Sequence, residues 1–148
     1  MNQHLYLRAY MAGVVVPTVL LLAGFSVFVI ARFVYHVPAP IERLLVFPLV
    51  IVPNAFGLWN MLYVVQRPHW HVPIGLHGAA LPFVLGPMGL VLGSELGFLR
   101  MTGNGIIWFE IVHIPIWLVC VIPFLGIAGY YLIWKYLVGF LNRVQGIE

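Results

Sequence analysis

Polar positions are so sparse in this chain that they act as punctuation. Residues 9–31, 44–66, 72–94 and 111–134 each run for more than twenty positions without an Asp, Glu, Lys or Arg. A hydrocarbon core about 30 Å thick needs roughly 20 apolar residues of helix at about 1.5 Å per residue, so each stretch is long enough to span it. Single spans in lipid must be helical, because every backbone N–H and C=O has to find its partner within the segment. The pattern predicts an all-α fold: an integral membrane bundle of four transmembrane helices over about 9–33, 43–66, 73–99 and 106–136, with short loops. Four crossings place both termini on the same side. That side is called the terminal end below, and the opposite one the distal end.

The turn-forming residues support these limits. Pro38 and Pro40 stop the first helix, Arg67-Pro68-His69-Trp70-His71 forms a loop, Pro73 opens the third helix, and Thr102-Gly103-Asn104-Gly105 reads as a turn. Pro48 and Pro53 are expected to kink the second helix, and Pro82 and Pro87 the third. Residues 135–143 mix basic and aromatic side chains and read as an interfacial tail. Glu42 and Arg43, a glutamate and an arginine before the second helix, resemble that feature of short four-span glutathione-handling membrane enzymes. The likeness covers those two residues only, and no property is carried over from it.

Composition then narrows the class. Hydrophobic residues make up 63% of the 148 positions and charged ones 7%. An ordinary soluble domain carries about 25% charged residues, so the bilayer has to be the solvent. Residues 1–148 form a single four-helix transmembrane domain with no room for a soluble catalytic module. The net charge of +3 is spread over helix ends, which reads as interfacial anchoring and gives no nucleic-acid surface. Arg8, Arg67, Lys135 and Arg143 fall at the terminal end against Arg32, Arg43 and Arg100 at the distal end, a bias that puts the termini in the cytoplasm. Cys120 is the only cysteine, so no internal disulfide forms. The first apolar segment is too long for a signal-peptide core and is read as a permanent helix.

The few polar groups inside the spans are the candidate chemistry. On a straight third helix His77 and Glu95 share one face, while Gly86, Gly89, Gly93 and Gly97 form the opposite one and invite close approach of another backbone. On the fourth helix Glu110, His113 and Trp117 follow helical spacing. With Glu95 and Arg100 they gather near the distal boundary as a polar intramembrane cluster. An ionisable group at membrane depth costs about 2.5 to 3.5 kcal/mol, so such groups are expected to face one another, protein or water. Interfacial anchoring of Glu95 and Glu110 is the structural alternative. His77 and Asn60 form a second polar site at similar depth, and Asn54 is expected to pair with Thr18.

Glu110 and His113 match the E-x-x-H spacing of carboxylate-bridged metal bundles, yet a second such pair is missing, so no metal is predicted. Three histidines in solvated segments, His4, His69 and His71, are a weak metal set. His77 and His113 lie on the order of 15 Å apart in depth and cannot share one iron. Each alone remains open as a single ligand to haem or a pigment, and no firmer cofactor signature exists.

No P-loop, nucleophile elbow or H-E-x-x-H motif occurs, so the chain carries no recognisable enzymatic signature. The expectation is a non-enzymatic structural or interaction subunit of a homo-oligomer or larger membrane complex, docking through the glycine-lined helix face. The first alternative is a proton, ion or small-solute carrier or channel gated by the Glu/Glu/His cluster. The second is an intramembrane enzyme or binder of a lipid, quinone or pigment, with His113 as base.

Overall fold

Four helical segments are long and apolar enough to cross a membrane: Leu5–Phe33, Leu49–Gln66, Ile74–Glu95 and Ile116–Val144. By length and composition they mark a multi-pass membrane protein. The computed structural model describes residues 4–37, 49–108, 110 and 112–147. The expected start of the second helix near 43 and the kink at Pro48 lie outside the described residues, as do Glu42 and Arg43.

In chain order the elements are α1 (Leu5–Phe33), α2 (Val52–Gln66), α3 (Ile74–Ala79), α4 (Pro82–Glu95), β1 (Leu99–Thr102), β2 (Gly105–Trp108), β3 (Val112–Pro115) and α5 (Ile116–Leu132). A π-helical segment (Ile133–Val138) and α6 (Gly139–Val144) follow. The third span is broken between α3 and α4 for a local reason. Pro82 has no N–H to offer the Gly78 carbonyl, and the Leu81 N–H takes that acceptor instead in a tighter bond of 3.1 Å. The fourth span bulges where the Gly139 N–H reaches back to the Trp134 carbonyl, which widens the turn carrying the fully buried Trp134.

The expected fourth helix from about 106 is corrected by the structure, and the fold, mostly helical as expected, includes a small sheet. Residues 99–115 form a three-stranded antiparallel sheet in the order β1-β2-β3, and the helix begins only at Ile116, after Pro115. Thr102 pairs with Gly105 across the Gly103-Asn104 turn, and Ile107 pairs with Arg100 on one side and His113 on the other. Ile106, Ile107, Val112 and Ile114 are β-branched and lose χ1 freedom in a helix, whereas a pleated strand accommodates them. Gly105 makes the closure possible: its φ is 152°, and a side chain there would overlap the Ile114 carbonyl.

Packing is uneven along the bundle. At the terminal half α1 and α2 meet backbone to backbone, since a Cβ on Gly13 would lie 2.9 Å from the Gly57 Cα. Val16, Phe56, Leu81, Leu85, Trp134 and Val138 make the buried core there. Toward the distal end α5 has no buried residue, and Phe124 and Leu125 stand on it exposed. Arg8 donates to the Gln145 carbonyl at 2.8 Å and Arg67 to the Ile147 carbonyl at 3.2 Å, so the start of α1, the loop after α2 and the C-terminal segment converge at one end.

Candidate functional site

The polar core sits in the packed terminal half and ties all four spans together. Asn60 of α2 and Asn142 of α6 are both fully buried and exchange side-chain hydrogen bonds, Asn60 Nδ2 donating to Asn142 Oδ1 at 2.8 Å and Asn142 Nδ2 to Asn60 Oδ1 at 3.1 Å. Asn60 Nδ2 also donates to the Ala9 carbonyl of α1 at 2.8 Å. Both donors and the acceptor of Asn60 are therefore engaged, which is what makes a buried amide tolerable.

At the adjacent position of α2, α2 and α3 exchange a second pair. Trp59 Nε1 donates to the His77 carbonyl at 2.8 Å, and His77 Nε2 lies 3.1 Å from the Trp59 carbonyl. A carbonyl only accepts, so Nε2 carries the ring proton and the lone pair of the neutral ring is on Nδ1. Trp59, Tyr63 and Trp134 surround the imidazole at centroid distances of 5.2, 5.3 and 6.0 Å. Gly78 lets Trp134 in, because any side chain there would overlap the indole, and Gly75 does the same for Tyr131. His77 thus partners Trp59, and Asn60 partners Asn142; the expected His77–Asn60 pair is not formed. Nor does Asn54 meet Thr18. Tyr10 donates to Asn54 Oδ1, and Thr18 bonds the Val14 carbonyl of its own helix.

The distal polar residues form a rim. Glu95 ends α4, Arg100 is in β1, Glu110 occupies the β2–β3 turn with a φ of 60°, His113 is in β3 and Trp117 is in the first turn of α5; all five are exposed. The helical stripe expected for Glu110, His113 and Trp117 is absent because two of the three are not on a helix, and the E-x-x-H geometry goes with it. Arg100 and Glu110 line one open pocket of about 450 Å³ beside Ser94. Among the described residues no three His, Cys, Asp or Glu side chains come together as a metal-binding group.

The four glycines expected as one docking face separate into different roles. Gly86 is exposed with open space above its Cα, and Gly89 is partly buried. Gly93 is covered by Phe98 and Leu99 of the same chain. Gly97 is off the helix: with a φ of 70° it caps α4, its N–H bonding the Ser94 carbonyl at 3.1 Å while the Phe98 N–H bonds that of Gly93 at 3.0 Å. The close approaches fall instead at Gly13, Gly57, Gly75 and Gly78. Ala9-x-x-x-Gly13, a small residue repeated one turn apart, was the available signal. For Asn142 the signal was a lone amide in an otherwise apolar tail.

No family model matches the chain, and neither a curated protein nor a solved structure resembles it.

Proposed function

We propose that the chain is a non-enzymatic structural subunit that associates, with copies of itself or within a larger membrane complex, through the open helix faces of its distal half. The observation that carries this reading is the state of α5, which has no buried residue yet contains Gly126 and Gly129, where no atom of the described residues lies within 4 Å of the position a Cβ would take. An exposed leucine in a bilayer needs no partner, since lipid tails are as apolar as it is. A glycine within a span is different. It weakens a helix by about 1 kcal/mol relative to alanine and returns stability only where another backbone comes close. Among the described residues nothing does so at the exposed Gly86 or at the partly buried Gly126 and Gly129. The enclosed polar core adds to the reading, because its amides are consumed by interhelical bonds.

Gly126→Leu and Gly86→Leu test it, since the Cβ added at each meets no atom of the described residues within 4 Å. The wild-type chain is expected to associate in mild detergent by native mass spectrometry, and to cross-link from a photoreactive residue at Phe124 in its own membrane. Each substitution should abolish both signals. A wild-type chain that stays monomeric and captures no neighbour in the membrane refutes the proposal.

A further inference from the structure

A pocket of about 590 Å³ opens at the terminal end, with Leu5, Tyr63, Arg67, Trp70, His71 and Ile147 among its walls. It lies at the border of all four spans, since Leu5 begins the first, Gln66 ends the second, Ile74 begins the third and Val144 ends the fourth. That is the depth at which lipid headgroups meet the protein.

Its chemistry is divided to match. Leu5, Val64 and Val72 supply apolar wall, while Arg67 and His71 bring cationic and hydrogen-bonding groups and Trp70 stands exposed at the mouth. Arg67 gives one N–H to a neutral acceptor, the Ile147 carbonyl, and a guanidinium has five. The two described carboxylates, Glu95 and Glu110, both belong to the distal end. Positive charge, a planar donor fork and an amphipathic indole beside an apolar wall are complementary to a phosphate attached to an acyl chain.

We propose that this pocket binds the phosphate headgroup of an anionic phospholipid, Arg67 and His71 contacting the phosphate and Leu5, Val64 and Val72 the first part of an acyl chain. A lipid held between the ends of all four spans would reinforce the contacts that already converge there.

The test is a native mass-spectrometric titration of the full chain in mild detergent with phosphatidylglycerol, with phosphatidylcholine of the same acyl chains, and with inorganic phosphate. Phosphatidylglycerol should be retained preferentially, and Arg67→Gln should weaken its retention about fivefold, the effect of one basic side chain near the surface. Arg143→Gln removes the same charge from an exposed side chain at the same end that does not line the pocket, and should leave retention unchanged. Equal loss in the two variants would mean diffuse attraction and overturn the site. Equal retention of the two lipids by the wild type would overturn the headgroup assignment, and phosphate binding as tightly as the lipid would overturn the lipid. Should Arg67→Gln not fold, Trp70→Ala and His71→Gln, both at exposed side chains outside the helices, carry the same comparison.

Discussion

Asn60 makes the greatest demand of any side chain in the fold. Its amide is fully buried and simultaneously holds α1 through Ala9 and α6 through Asn142. Interhelical hydrogen bonds measured in membranes average only about 0.6 kcal/mol, so the net contribution of each bond is modest. Removing one partner is another matter, because the remaining amide keeps its desolvation without its bond, a loss of about 1 to 3 kcal/mol. Asn142→Leu should therefore destabilise the bundle by that amount in a reversible detergent-unfolding titration. The double variant Asn60→Leu/Asn142→Leu should be less destabilised than the sum of the two single ones. Strict additivity would show that the two amides act independently.

At the scale of elements, the segment 99–115 separates what the pattern of apolar residues could reveal from what it could not. A window of twenty uncharged residues reports depth in lipid whatever its detailed conformation, and the four spans were legible for that reason. A short apolar run is ambiguous between strand and helix, so Ile106-Ile107-Trp108 followed by Val112 reads as part of the next span even beside the turn at Gly103-Asn104. The ambiguity carries over to the site: a helical period puts Glu110 and His113 on one stripe, and that period does not apply in a sheet. The same weakness affected α3 and α4. A common face for His77 and Glu95 assumes an unbroken helix through eighteen positions, and Pro82 removes the hydrogen bond that would keep it straight. Asn60 and His77 draw the eye because an amide and an imidazole stand out in apolar sequence. Their hydrogen-bond partners do not, since Trp59 reads as an interfacial aromatic and Asn142 as part of a surface tail. The sheet itself can be tested by cross-linking. With Cys120 replaced by serine, Ile107→Cys and His113→Cys place two thiols at directly paired positions, where Cα atoms are about 4.5 to 5.5 Å apart and a disulfide can close. In a continuous helix those positions would be about 9 Å apart along the axis, too far to bridge. Intramolecular oxidation, read as a loss of two free thiols by mass, is the expected outcome, and persistent free thiols would restore the helix.

Over the whole molecule, the contrast between a packed terminal half and an α5 with no buried residue decides where the bilayer must act as solvent. The first and last spans are 29 residues long and the second is 18, or about 43 Å against about 27 Å of helix. A hydrocarbon layer about 30 Å thick fits the short span and leaves the long ones to tilt or to project beyond it. On the fourth span Lys135 sits over the rings of Tyr131 and Tyr136, at 5.6 and 5.2 Å, and the two ring faces hold its charge against the helix. The exposed apolar surface of α5 then faces acyl chains, and Val144, which ends the fourth span beside Arg143, faces the interface. Leu125 and Val144 are both 66% exposed, so burial within the protein does not distinguish them. Only the bilayer can. Leu125→Arg should reduce insertion of the fourth span by about 2.5 to 3.5 kcal/mol in a glycosylation-reporter assay, while Val144→Arg should cost far less because its guanidinium reaches headgroup water. Equal tolerance of arginine at the two positions would mean that α5 faces water, and the fourth span would no longer be a span.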